Sequence, residues 1–153
     1  MKTLLMTTVL LVGTFASGAT QDHAAHSSQA ATLVQVFEHY EGVRRGLSSD
    51  KFADVAAHAK QLAVSVEPIG GPAAKTHAEA LVAATTLEET RKHFGELSTI
   101  LVPIFHHAKI SGATAFMCPM KKQPWMQKGD KMENPYYGKS MSTCGSPYSA
   151  TGK

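Results

Sequence analysis

The sequence has few of the residues that enzymes and cross-linked domains depend on. It contains two cysteines, Cys118 and Cys144, and one tryptophan, Trp125. It has no Gly-rich phosphate loop, G-x-S-x-G turn, H-E-x-x-H pair or C-x-x-C motif. The net charge of +3 is too small to favour binding to nucleic acid or to a membrane surface. We therefore expect a binding protein rather than an enzyme, with no nucleic-acid partner.

Long hydrophobic runs are scarce as well. The run from Leu4 to Phe15 is short for a membrane-spanning helix, which needs about 20 apolar residues. It follows Lys2 and precedes small residues at positions 17–19, which is the pattern of a secretory signal peptide. The sequence predicts a signal peptide over residues 1–19, cleaved near Ala19. It also predicts a periplasmic or secreted location, with no stable membrane insertion after cleavage.

The segment that follows, residues 20–31, is small and polar and carries His23 and His26. Such a composition buries little apolar surface, so it predicts a flexible linker. A histidine two residues beyond a free amino terminus chelates copper(II). Cleavage before Gln21 would place His23 there, whereas cleavage after Ala19 would not.

From Leu33 to Ile110 the apolar residues recur every three or four positions, and no stretch alternates as a strand does. Thr86 and Glu89 fit a capping box that either opens a new helix or continues the third one. Pro103 is expected to kink the last helix or to end its regular part. With short connections, the fold class is predicted as all-α, an antiparallel three- to four-helix bundle. The predicted domain covers residues 32–153.

After Gly112 the helical period stops, and residues 112–147 are predicted to form an irregular tail rich in sulfur. Once the signal peptide is removed, this tail contains both cysteines and every remaining methionine, at 117, 120, 126, 132 and 141. Core-filling methionines would be spread over all the apolar faces of the fold. Their concentration in one loop region indicates a chemical role, because a loop of this length without regular structure is usually functional.

Thiolate and thioether sulfur are soft donors that select copper(I) or silver(I) over magnesium or calcium. Cys118 and Met120 are two residues apart, and Met141 and Cys144 are three apart, so each pair fits one turn. We therefore predict a soft-metal site made by these four residues. Met117 is a weaker candidate ligand.

Histidines are weaker candidates for the same site. His93, His106 and His107 lie on the helix that leads into the tail. One of them would add an imidazole to the sulfur ligands and make a mixed nitrogen–sulfur copper centre.

Two other interpretations of the cysteines stay open. A disulfide between Cys118 and Cys144 would stabilise an exported domain by about 3 kcal/mol in the chain-entropy model. The chain would then be an interaction module of the cell envelope that holds no metal. A thiol redox sensor would instead need an accessible cysteine of low pKa.

The tail also carries a family resemblance. The order Cys118-Pro119-Met120, Trp125, Asn134-Pro135-Tyr136-Tyr137-Gly138, Met141, Cys144-Gly145 resembles the C-terminal signature of a family of exported helical domains of unknown function. These domains occur alone or fused to periplasmic adaptor subunits of copper/silver efflux pumps. The resemblance implies a helical bundle, an envelope location and a role in copper or silver handling, with such an adaptor or another envelope copper protein as partner. The basic stretch Lys121-Lys122-Gln123-Pro124 departs from that pattern, in which relatives are longer and contain Gly and Ala.

Overall fold

The computed structural model describes residues 19–149, with side chains from residue 28 onward. The predicted signal peptide lies outside this range except for Ala19. The described chain forms four helices, α1 (Ala19–Ser48), α2 (Phe52–Ser65), α3 (Glu67–Ala83) and α4 (Leu87–His107). Three strands follow, β1 (Ala113–Cys118), β2 (Gln123–Lys128) and β3 (Ser146–Pro147), with a short 3₁₀ helix (Gly138–Met141) before β3.

The helices follow the apolar stripes of the sequence. Each helix packs against the next one along the chain, and α1 also contacts α4. The α4 helix begins where the capping box predicts, because the Thr86 hydroxyl accepts a hydrogen bond from the Glu89 backbone N–H. It does not end at Pro103 but continues to His107.

Two helix boundaries differ from the sequence prediction. The α1 helix begins at Ala19 and therefore runs through residues 20–31, for which the composition predicts a linker. The residues from Pro68 to Pro72 are of the types that predict a turn between helices. The α3 helix instead begins at Glu67 and is kinked at Gly71, where φ is +71°, with Pro72 directly after the kink.

The all-α fold class is wrong, because the tail is not irregular. Strand β1 pairs antiparallel with β2 on one side and with β3 on the other, giving the order β2-β1-β3. Residues in β1 and β2 alternate poorly between apolar and polar types, and Pro124 stands inside β2. A proline disfavours a strand assignment, yet it is tolerated here because β2 is an edge strand.

One aromatic core joins the helices to the sheet. The Tyr40 ring stacks on Phe94 with centroids 4.8 Å apart, and Phe94 lies 6.1 Å from Tyr136. Tyr136 lies edge-on to Trp125 at 6.1 Å, and Trp125 stacks on Phe116 of β1 at 5.2 Å. These side chains are buried, so the sheet and the four helices share one hydrophobic core.

Candidate metal site

The two cysteines converge on one point of the tail. Cys118 is fully buried at the end of β1, whereas Cys144 is partly exposed just before β3. The register of β1 on β3 ends with the pair Met117 and Ser146, so Cys118 and Gly145 are the residues next to this last pair. Both cysteines are free thiols in this structure.

Asn134 links the two cysteines directly. Its side-chain nitrogen Nδ2 lies 3.5 Å from the Cys118 sulfur and 2.5 Å from the Cys144 carbonyl oxygen, and it donates to both. The side-chain oxygen of Asn134 accepts from the Tyr136 backbone N–H at 2.8 Å. Asn134 is fully buried, so its amide groups are satisfied within the protein rather than by bulk water.

Arginines from the helical layer hold the backbone on both sides of Asn134. Arg44 of α1 donates to the Glu133 carbonyl oxygen at 3.0 Å. Arg91 of α4 donates to the Pro135 carbonyl oxygen at 3.0 Å. The position of Asn134, and through it the approach of the two cysteines, is therefore set by the packing of α1 and α4.

The motif Asn134-Pro135-Tyr136-Tyr137-Gly138 thus has a structural explanation. Burial raises the pKa of the Tyr136 phenol well above its usual value, so the hydroxyl stays protonated and donates to the Pro124 carbonyl oxygen. Gly138 has φ of +55°, and a Cβ at this position would overlap Asp50 and Arg91. A side chain here would therefore meet both a backbone penalty and a direct clash.

Met141 and Cys144 lie in one turn, as their spacing predicts. The Cys144 backbone N–H donates to the Met141 carbonyl oxygen at 3.1 Å. The same turn is tied to the Asn134 backbone, whose N–H donates to the Ser142 carbonyl oxygen at 2.7 Å. Met141 is partly buried at the end of the 3₁₀ helix.

A second methionine lies beside Cys144. A Cβ built on Gly145 would lie 2.7 Å from the Met132 sulfur and would also touch the Trp125 ring. The Cys144-Gly145 backbone therefore packs directly on this thioether and this indole. Trp125 is fully buried, and its indole N–H donates to Gln127, so it forms an apolar wall beside the turn.

The other predicted sulfur ligands lie farther from this point of convergence. Met120 is in the turn between β1 and β2, and 59% of its surface is exposed. Met117 is on β1, and the alternation of a strand directs its side chain to the face opposite that of Phe116 and Cys118. Of the four main candidates, the structure brings Cys118, Cys144 and the Met141 turn together and leaves Met120 at the surface.

The candidate histidines do not join the sulfur residues. His106 and His107 are exposed in the last turn of α4, and the His106 ring contacts Tyr148 edge-on at 5.4 Å. His93 is directed to α3, where its ring lies 6.5 Å from that of His77. No group of three or more His, Cys, Asp or Glu residues suited to a metal occurs in the described part of the chain.

The residues predicted for the site from the sequence do not include Asn134 or Met132. The stretch from Asn134 to Gly138 favours a turn, and an asparagine before proline is also a common side-chain donor and acceptor for its own loop. That signal would have been enough to propose Asn134 as the organiser of the tail. Nothing in the local sequence places Met132 beside Cys144, because that contact is made by residues distant along the chain.

Comparisons of the chain with protein-family models, curated proteins and solved structures each found no match. The family resemblance of the tail motif therefore stays a prediction. Among residues 19–149, no helix is long and apolar enough to cross a membrane.

Proposed function

We propose that the protein is an exported soft-metal-binding protein that holds copper(I), or silver(I), at Cys118 and Cys144. The observation that carries the proposal is the side-chain nitrogen of Asn134, which contacts both the Cys118 sulfur and the Cys144 backbone. Two cysteines 26 positions apart, the only two in the chain, are thereby held at one place. Two thiolates are a sufficient ligand set for a soft monovalent ion.

The surroundings of the cysteines suit a soft cation. Met141 shares a turn with Cys144, and the Met132 sulfur packs against Gly145, so thioethers are available as additional ligands. The fully buried Trp125 covers the turn with apolar surface. Asn134 acts as an outer-shell donor, since an N–H directed at a ligating sulfur fixes its orientation.

Among the methionines, we propose Met141 and Met132 as the thioether ligands and Met120 as an outer capture residue. Met120 is two residues from Cys118 but is exposed at the tip of the β1–β2 turn. An exposed thioether next to a buried thiol is placed to receive an ion from solution or from a partner. The role that follows is copper buffering or transfer, with an efflux adaptor or another envelope copper protein as the partner.

The test is a copper(I) titration of the reduced mature chain under anaerobic conditions, against a chromophoric copper(I) competitor. We expect about one equivalent to bind, and Cys118→Ser or Cys144→Ser to abolish tight binding. Met141→Leu and Met132→Leu are expected to weaken binding, whereas Met126→Leu is the matched control. Met126 is a buried methionine of the same sheet, packed in the core. X-ray absorption at the copper edge then counts sulfur against nitrogen ligands.

The same convergence would also serve a disulfide, and thiol counting separates the two functions. The protein is purified without reductant, and its free thiols are measured before and after reduction. Free thiols that disappear on copper(I) addition support the metal site. A reduced protein that binds no copper(I), or binds it equally well in both serine variants, overturns the proposal and leaves a disulfide-linked interaction module.

A further inference from the structure

Two histidines face each other across the α3–α4 hairpin, away from the sulfur residues. His77 lies six residues before Ala83, the end of α3, and His93 lies six residues after Leu87, the start of α4. They are therefore at the same level of the hairpin. Their ring centroids are 6.5 Å apart and the ring planes are inclined by 34°.

His93 has an unsatisfied nitrogen at this place. Its Nδ1 is the one buried side-chain nitrogen or oxygen in the described part of the chain that has no hydrogen-bond partner. Leaving such an atom unpaired costs about 1–3 kcal/mol, so buried polar atoms of this kind are normally satisfied by protein, water or an ion. The other cross-helix pair, His39 and His58, has no such atom among the described residues.

The two imidazoles are spaced for a shared ion. A metal–nitrogen bond of about 2.0–2.1 Å puts the centroid of each ring roughly 3 Å from the ion. Two rings on one ion are therefore separated by up to about 6 Å, and a small side-chain rotation in either histidine closes the difference. Glu89, one turn before His93, is already engaged, because its carboxylate accepts from the Thr85 backbone and hydroxyl.

We propose that His77 and His93 form a two-imidazole site for a borderline divalent ion, with copper(II) the preferred ion. Imidazole suits copper, nickel and zinc, and affinity for such ligands is highest for copper(II). Since no third His, Cys, Asp or Glu completes a group here in the described residues, water would fill the remaining positions.

This site is separate from the proposed copper(I) site and does not depend on it. Residues two apart on a helix project about 200° apart. Gly95, two residues after His93, lies against the Gln123 side chain of β2. His93 therefore projects from the side of α4 that faces α3, away from the sheet that carries the cysteines.

The first test removes competing ligands. Copper(II) chloride is titrated into a chain with four substitutions. Cys118→Ser and Cys144→Ser prevent thiol oxidation, and His23→Gln and His26→Gln remove the N-terminal histidines. We expect about one equivalent to bind, with nitrogen hyperfine structure in the electron paramagnetic resonance spectrum. Adding His77→Gln or His93→Gln is expected to lower the affinity by more than an order of magnitude, whereas His107→Gln, an exposed control, leaves it unchanged.

The second test uses the unmodified chain, in case the serine variants fold poorly. Nickel(II), which does not oxidise thiols, is added to isotopically labelled protein, and backbone amide signals are followed by nuclear magnetic resonance. Selective broadening around residues 77 and 93 supports the site. Broadening confined to the N-terminal histidines, to His39 and His58, or to the tail overturns it, as does unchanged copper(II) binding in both glutamine variants.

Discussion

The side-chain nitrogen of Asn134 lies 3.5 Å from the sulfur of Cys118, although 16 positions separate the two residues. The same nitrogen donates to the carbonyl oxygen of Cys144. One amide group thereby connects the end of β1 to the turn before β3. The Cys118 thiol and the Cys144 backbone therefore meet at Asn134, and Arg44 and Arg91 hold the chain on either side of it.

Asn134→Asp tests this role with a side chain of nearly the same size and shape. The aspartate keeps an oxygen for the Tyr136 N–H but loses the donor to Cys118 and Cys144. We expect the free energy of unfolding to fall by about 3 kcal/mol or more, because the Cys144 carbonyl oxygen loses its partner and a carboxylate is buried beside it. Copper(I) affinity is expected to fall as well. Chemical denaturation and copper(I) competition measure the two effects.

Gln127→Glu is the matched control for that variant, because it keeps the oxygen that accepts from Trp125 and Glu133 and loses only the donor to the Lys131 carbonyl oxygen. Gln127 is another buried amide of the tail, and it binds Trp125, Lys131 and Glu133 rather than a cysteine. A similar loss of stability is expected, with copper(I) affinity unchanged. Equal losses of affinity in the two variants would mean that Asn134 acts only through general stability.

Gly138→Ala is expected to destabilise the fold by about 3 kcal/mol or more. The left-handed backbone at φ +55° disfavours any side chain, and the added methyl group would overlap Asp50 and Arg91, which form an ion pair. Gly129→Ala is the control. Its φ is +77°, but a Cβ there has nothing within 4 Å, so only the backbone penalty of about 1–2 kcal/mol is expected. Thermal unfolding of both variants gives the comparison, and equal losses would contradict the proposed clash.

The helices could be predicted from the sequence because their signals are local. The stripe of Val36, Phe37, Tyr40, Val43 and Leu47 is repeated at three- and four-residue intervals, and all five side chains are fully or almost fully buried in the structure. The start of α4 is likewise marked by a local contact, the hydrogen bond between Thr86 and Glu89, which are three residues apart.

The sheet could not be predicted in the same way. Strand β3 has only two residues, and β1 finds it across a gap of about thirty positions. Pro124 has no backbone N–H to donate to the neighbouring strand, so its presence in the sequence argues against a strand at β2. Strand β2 is stabilised by burial against α4 and α1, a tertiary effect that local residue patterns do not contain.

For the candidate site, the sequence pointed to the sulfur residues but not to what holds them. Cys118, Met120, Met141 and Cys144 were predicted from their soft sulfur donors, their spacing and the family resemblance of the tail. The exposure of Met120 follows from its place in a hairpin turn. The roles of Arg44 and Arg91 could not be predicted, because each arginine donates to a backbone carbonyl oxygen that is far away in the sequence.

Arg44→Met is expected to lower the free energy of unfolding by about 3–5 kcal/mol. Arg44 is almost fully buried and pairs with the equally buried Glu41 at 2.7 Å, so its removal leaves a carboxylate without a partner inside the protein. The double variant Arg44→Met with Glu41→Leu is expected to recover much of that loss. Denaturant titration of the single and double variants measures both.

Lys128→Met is the control for the buried pair. Lys128 and Glu38 form an ion pair at 2.7 Å in which both side chains are about half exposed. Such surface pairs contribute about 0–1 kcal/mol, so the substitution should change stability little. A loss as large as that of Arg44→Met would contradict the assignment of the cost to burial.

The contact between α1 and α2 should weaken as the pH falls below the ordinary range of histidine. Desolvation at this interface lowers the pKa of His39 below its usual value of 6.5, and the neighbouring His58 lowers it further, while Glu38 acts in the opposite direction. The folded protein therefore binds a proton less readily than the unfolded chain. The stabilising contribution is fully present above pH 6.5 and is lost as the pH falls through the lowered pKa of the folded state.

Nuclear magnetic resonance titration of the His39 ring protons measures this pKa directly in the native chain and in His58→Gln. We expect the native value to lie below 6.5 and to rise toward it in the variant, because one positive neighbour is removed. His107→Gln, an exposed histidine in the last turn of α4, should leave the titration unchanged. A native His39 that titrates at or above 6.5 would refute the interface effect. An unchanged pKa in His58→Gln would instead assign the whole shift to burial.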